Sequence, residues 1–330
     1  MQFVLTFHIA LLLLLHCLTI HRIFSGRCSG YRTLWKTLKI QYGLRVGKEN
    51  VRQLMHIVNP NGVRRRLHHR LQRRTYLSAG PNYCWHVDGY DKLKKFGIAI
   101  NGCIDGFSRR VIWLRCSSTN NDPAVIGCYY LDAVQQLMMC PRRLRSDRGS
   151  ENITVATIQC CITGDSDAHR FGSSCTNQRI ESFWSVLRQL RMQWWIDLFE
   201  DLVACDLLDI SNESHLEIVR FCFMNIIQSD IQVFANNWNT HRIRPSSTGV
   251  ASGVPDELFF LPQPPYTDCA LVVRPDDVNQ FRHFVSRPQT CVNADYEDYL
   301  IYLMGIYNAA MPDSWQGATD LFIKLASSVS

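Results

Sequence analysis

A single acidic residue, Glu49, stands among the first 80 positions of this 330-residue chain, against 14 Lys and Arg. Residues 81–330 hold 21 Lys and Arg against 28 Asp and Glu, so an overall charge of +6 conceals a basic arm on a mildly acidic body. That asymmetry points to a polyanionic partner, most simply nucleic acid. Among 14 cysteines no Cys-x-x-Cys pair occurs, and their spacing is irregular. Paired spacings are how zinc sites announce themselves, so no zinc is expected. Cys103, Cys116 and Cys128 fall inside apolar runs, where a reduced thiol behaves as a small hydrophobe. Charged residues make up only 19% of the chain against 46% hydrophobic, a balance that excludes a disordered chain. No internal period suggests a solenoid. The length suits roughly two domains.

No Lys or Arg precedes the apolar run 3–20, FVLTFHIALLLLLHCLTI, and His8 and His16 interrupt it. No small-x-small cleavage site follows it. Its hydropathy is nonetheless that of a signal or anchor, and membrane insertion or export rests on it alone. A buried helix, or the start of an incomplete chain, are the other readings of this leader, residues 1–26.

Residues 27–80 read as a basic helical segment and linker. YRTLWKTLKIQYGL sets Leu34, Leu38 and Tyr42 on one stripe, and KENVRQLMHIV resumes after Gly43–Gly47 with Val51, Leu54, Met55 and Val58. Two short helices joined by a glycine-bearing turn outline either a helix-turn-helix or an ordinary helical hairpin. After the break at Asn59-Pro60-Asn61-Gly62 come Arg64, Arg65, Arg66, Arg70, Arg73 and Arg74, with no acid between them. This run suits phosphate contact over several faces, the alternative being a solvated linker.

From residue 81 the period changes. YCWHVDGYD, FGIAINGCID and RRVIWLRCS read as a strand followed by a hairpin turning at Asp105-Gly106, where Asp105 is a turn former. Asp122 caps a helix with Pro123 in its first turn. RRLRSD forms another strand, ending at Asp147. NQRIESFWSVLRQLRMQWW begins a second strong helix at Asn177, with Ile180, Phe183, Trp184, Leu187 and Leu190 as its apolar stripe and Glu181, Ser185 and Arg188 on another face. Residues 214–235 are helical. The stretch 262–330 is acidic, Pro-punctuated and helical around DYEDYLIYLMGIYN.

Three carboxylates stand out by position: Asp88 within a strand, Asp147 at a strand end and Glu181 near a helix start. Acids drawn together in a buried place repel one another unless cations neutralise them. Two Mg2+ (or Mn2+) ions about 3.5–4 Å apart on such carboxylates would clamp an in-line phosphoryl displacement. Hard oxygen donors favour Mg2+ over zinc. Asn177, Gln178 and Arg179 lie beside Glu181 as phosphate contacts, with helix capping the competing role for Asn177. Trp194 and Trp195 read as core or interface residues, and His241, Arg242 and Arg244 as structural or peripheral.

WHVDGYDKLKKFG, INGCIDGFSRRVIWL, STNNDP, SDRGSEN, NQRIESFW and WNTHRIRPS, in that order, resemble the integrase core domain of retroviral integrases and DDE transposases. More narrowly, they resemble the transposon-derived integrase-core proteins of animal genomes. The resemblance runs from Trp85 to Leu261. It implies an α/β, ribonuclease-H-like core, a mixed five-stranded sheet flanked by helices over 81–261. An N-terminal helical DNA-binding segment would precede this core, and an α-helical C-terminal extension would follow. Asp88, Asp147 and Glu181 match the family's catalytic, metal-binding triad. The implied function is DNA cleavage and strand transfer by a two-metal polynucleotidyl transferase in the nucleus. DNA would be the partner, assembly into a homodimer or homotetramer would be needed, and no small-molecule cofactor would be required. DNA contacts would come from Arg64, Arg65, Arg66, Arg70, Arg73, Arg74, Arg179 and Arg188. A catalytically dead, domesticated DNA-binding or scaffolding protein is the alternative. The zinc-binding His-His-Cys-Cys domain of retroviral integrases has no match here.

Overall fold

The computed structural model describes residues 31–40, 43–44, 46–58, 60, 63, 78–172, 177–244 and 251–329. The leader 1–26 and the arginines from Arg64 to Arg74 lie outside the described residues. The chain forms two compact units, Met1–Arg73 with Ser185–Leu198, and Arg74–Trp184 with Phe199–Ser330.

In the first unit, α1 (Tyr31–Ile40) buries Leu34 and Leu38 of its expected stripe and α2 (Lys48–Val58) buries Val51 and Met55; Tyr42 lies outside the described residues. Leu34, Leu38, Val51 and Met55 form a small core, with Trp35, Leu44, Val46 and Leu54 packed against it. Gly43 takes a left-handed conformation (φ 64°) after α1, which a residue bearing a Cβ adopts only with strain. Trp35 Nε1 donates to the Val46 carbonyl at 2.8 Å and holds the connection between the helices in place.

The second unit is built on a five-stranded mixed sheet. Its strands are β1 (Cys84–Tyr90), β2 (Ala99–Asp105), β3 (Val111–Ser117), β5 (Arg143–Ser146) and β6 (His169–Phe171), in spatial order β3-β2-β1-β5-β6. β1, β2 and β3 pair antiparallel, whereas β5 and β6 run parallel to β1. The return to parallel pairing is made by two helices, α3 (Pro123–Leu137) and α4 (Ile153–Thr163). Asp122 caps α3 as expected, accepting from Ala124 N at 2.8 Å. Trp85, Val87, Ile126, Tyr130, Val134, Leu144, Val155 and Ile158 meet in the core beneath these helices. The hairpin after β2 turns where Asp-Gly predicts it. Asp105 is fully buried and accepts from Asn82 N (2.8 Å), Phe107 N (3.2 Å), Ser108 N (2.7 Å) and Ser108 Oγ (2.7 Å). Burial pushes its pKa up to about 6, against the pull of those donors.

The helix after Asn177 departs from its predicted pattern. α5 (Gln178–Leu187) runs through a π segment, Arg188–Met192, into α6 (Gln193–Ala204). The wider π turn shifts the side-chain register, so Leu190 is only half-buried, whereas Arg191, Met192 and Trp195 are buried. α7 (Glu213–Asn239) lies along the edge strand β3 and bonds its backbone. Gln228 accepts from Cys116 N and donates to the Leu114 carbonyl, and Asn239 does the same for Val111. An exposed strand edge is thereby covered.

The stretch 262–329 is folded against this sheet. β4 (Met139–Cys140) pairs antiparallel with β7 (Leu271–Val272), and Val273 and Val278 enter the core with Phe259 of α8 (Pro255–Phe260). α9 (Pro275–Asn279) and α10 (Ala294–Ile306) follow. α11 (Trp315–Val329) then buries Leu321, Phe322 and Leu325, with Phe322 against the rings of His215 and Phe223.

Candidate active site

Asp88 lies near the end of β1, one residue beyond the buried Val87, so its side chain takes the face of the sheet opposite the α3–α4 core. Its partner across the ladder is Gly102. A Cβ at Gly102 would come within 2.6 Å of Trp184 Cη2, so the missing side chain leaves the indole its place. Trp184 Nε1 donates to Asp88 Oδ2 at 2.8 Å, and its ring packs on Tyr90 at 5.4 Å. Trp184 therefore does more than fill the apolar stripe. It fixes one oxygen of Asp88, and its place three residues after Glu181 on one helix was the available signal.

β1 and β5 are parallel, with His86 paired to Arg145. Asp147 follows Ser146, the last residue of β5, and its charge bears on Asp88. Asn152, buried at the start of α4, donates to Asp147 Oδ1 at 2.9 Å and to Glu151 Oε1 at 3.0 Å. This positioning amide was missed in the sequence because SEN reads as an ordinary helix entry. Asn177 is resolved in favour of a structural role. It is buried, its Oδ1 lies 2.6 Å from His86 Nδ1, and its Nδ2 donates to the Val87 carbonyl at 3.1 Å. These bonds tie the start of α5 to β1 and leave the side chain no phosphate to contact. His86 is buried, which pushes its pKa down to about 4 despite the bond to Asn177.

Glu181 sits in the first turn of α5 with its side chain exposed. The proton affinities of the acids register one another. Burial pushes Asp88 up to about 7, the Trp184 N–H works against this, and the charges of Glu181 and Asp147 push it further up. Glu181 is raised by partial burial and then by the charge of Asp147. The three acids thus share one electrostatic neighbourhood. Even so, among the described residues no group of three or more His, Cys, Asp or Glu stands close enough together to hold a metal ion.

Arg179 is half-buried at the start of α5. Arg188 is exposed and donates to Oε1 of Gln193, the first residue of α6, at 3.2 Å. Trp195 is buried and meets Trp194 edge-on at 4.8 Å. His241 Nδ1 lies 2.5 Å from the Trp238 carbonyl, consistent with a structural role.

The family model described as the integrase core domain matches residues 75–260. Two solved structures share parts of the chain. One is the simian T-cell lymphotropic virus intasome in complex with PP2A regulatory subunit B56 gamma, 14% identical over 70% of this chain and 72% of that chain, with a TM-score of 0.39. The other is the HTLV-2 integrase catalytic core domain in complex with magnesium (trimeric form), 17% identical over 56% of this chain and 99% of that chain, with a TM-score of 0.32. No curated protein matches the chain.

Proposed function

Because the chain belongs to the integrase core domain family, we propose that it is a polynucleotidyl transferase that cleaves and joins DNA strands through Asp88, Asp147 and Glu181. The observation that supports this reading is the shared electrostatic neighbourhood of the three acids, where Asp88 is raised to about 7 partly by the other two. An all-oxygen donor set carrying surplus negative charge suits Mg2+ or Mn2+. Bound there, such ions would activate the attacking hydroxyl and stabilise the leaving oxygen. The protein's own part is positional. Trp184 holds one oxygen of Asp88, Asn152 orients Asp147, and Asn177 docks the start of the helix that carries Glu181 onto β1. Attack by water or by a DNA 3′-hydroxyl on a phosphodiester needs no Ser, Cys or Tyr nucleophile.

The partner is DNA, held by the basic arm (Arg64, Arg65, Arg66, Arg70, Arg73 and Arg74) together with Arg179 and Arg188, and joining two ends calls for a dimer or tetramer. The site of action is the nucleus, tested by fractionating a tagged chain with and without residues 1–26. A second reading, a DNA-binding scaffold without chemistry, draws on the absence of a tight ligand cluster among the described residues.

The discriminating experiment is Mn2+-dependent nicking and strand transfer on a panel of short duplexes, comparing the wild type with Glu181→Gln. Activity in the wild type, lost by at least a hundredfold in the variant while the fold survives, is the expected outcome. Salt-sensitive binding with no activity in either protein would favour the scaffold, and equal activity in both would overturn the triad.

A further inference from the structure

The body of the protein is acidic, yet its arginines are not spread evenly. Arg142, Arg143, Arg145 and Arg148 crowd the short strand β5 and its flanks. The register of the sheet then aligns several of them. Cys84 pairs with Arg143, His86 with Arg145, and Arg145 in turn with Arg170 of β6. Paired residues on neighbouring strands share a face, so Arg143, Arg145 and Arg170 stand together on the face that also carries His86 and, two residues on, Asp88. Arg170 is exposed, and Arg143 and Arg145 are half-buried. Arg143 Nη1 donates to the Asp167 carbonyl at 2.7 Å, which holds its guanidinium at the sheet surface. The charges of Arg145, Arg143 and Arg170 all bear on Cys84, and those of Arg145 and Arg179 on His86, which places these arginines around one patch.

Arg145 and Arg170 are paired across β5 and β6, so two guanidinium groups leave neighbouring strands on one face. Guanidinium groups match phosphate oxygens with paired N–H donors. Arg145 lies two residues before Asp147, so the row ends at the carboxylates.

We propose that Arg143, Arg145 and Arg170 form a phosphate-binding track on the core that leads a DNA strand to Asp88 and Asp147. This rests on the polynucleotidyl transferase reading for its destination, but the track itself is a binding surface and is tested without turnover.

The test measures duplex DNA binding by fluorescence anisotropy across a series of KCl concentrations. It uses the full chain in a Glu181→Gln background so that the DNA is not consumed. The triple variant Arg143→Gln, Arg145→Gln, Arg170→Gln is expected to flatten the plot of log affinity against log salt by about 3 units, and Arg170→Gln alone by about 1. Arg170→Lys should keep the parental slope. Because Arg170 is exposed, its variants fold whether or not the triple variant does. Parental slope and affinity in Arg170→Gln, and in the triple variant if it folds, would overturn the track. Flattened slopes in a protein whose wild type never cleaves DNA would uphold the track and sink the catalytic reading. Cleavage with unchanged slopes would do the reverse.

Discussion

At the scale of single residues, the site is held by side chains that carry no chemistry of their own. Trp184, Asn152 and Asn177 each place a hydrogen bond on a catalytic candidate or on the strand that bears it. Asp88 and Asp147 could be picked out as candidates in the sequence because a carboxylate inside an apolar strand, or at its end, is costly unless it is paired, whereas Glu181, in a helix, stood out only in company with them and through the resemblance. Trp184 and Asn152 could not be picked out, since a tryptophan on an apolar stripe and an asparagine at a helix entry already have ordinary explanations. His86 and His169 illustrate a consequence of burial, which pushes both pKa values down to about 4. Unfolded histidine takes up its proton near pH 6.5, so the stability these neutral rings contribute is full above that pH and is lost as pH falls toward 4. Asp88 and Asp105, both raised, act in the opposite sense over part of that window. The clean readout is therefore NMR of the imidazoles: two of the eleven histidines should show no titration between pH 7 and pH 5. Titration of all the histidines near pH 6.5 would contradict the buried, neutral state.

At the scale of elements, β1, β2, β3, β5 and the Asp-Gly hairpin could be read from apolar and β-branched runs between turn signals, and Asp122-Pro123 marked a helix start, whereas β6, only three residues long, could not be read. Register could not be read. Nothing in local sequence says that His86 faces Arg145, and it is this pairing that runs β5 alongside β1 and, with that of β6, lines up the arginines. The π segment Arg188–Met192 escaped for a related reason, because a periodic pattern assumes an unbroken 3.6-residue turn. Gly102 joins two elements, β2 and α5, and supports a specific prediction. Gly102→Ala places a methyl 2.6 Å from Trp184 Cη2 and should destabilise the fold by about 1–3 kcal/mol. Combining it with Trp184→Phe, whose smaller ring lacks the clashing atom, should cost less than the sum of the two single changes. Denaturant melts of the four proteins measure this, and simple additivity would show that the close approach does not govern the site.

At the scale of the whole molecule, the sequence divides an arm from a body by charge, whereas the fold gives the C-terminal stretch a part in the core. That contribution was hidden because β4 and β7 are two residues each and lie more than a hundred positions apart, while acidic, Pro-punctuated sequence hides an apolar stripe. Phe322 is fully buried against α7, so Phe322→Ala should cost about 3–5 kcal/mol. It should lower the melting point of the sheet-bearing unit in a single step rather than release an independent early transition. An early transition that leaves the main one unmoved would show that 262–329 folds apart from the sheet. The central claim is that Asp88, Asp147 and Glu181 form a divalent-metal centre, and the most direct measurement is anomalous diffraction from crystals soaked in Mn2+. The account predicts a manganese peak contacted by the carboxylates of Asp88 and Asp147, absent from Asp88→Asn. Well-ordered carboxylates with no peak between them, or a peak that persists in the variant, would contradict it.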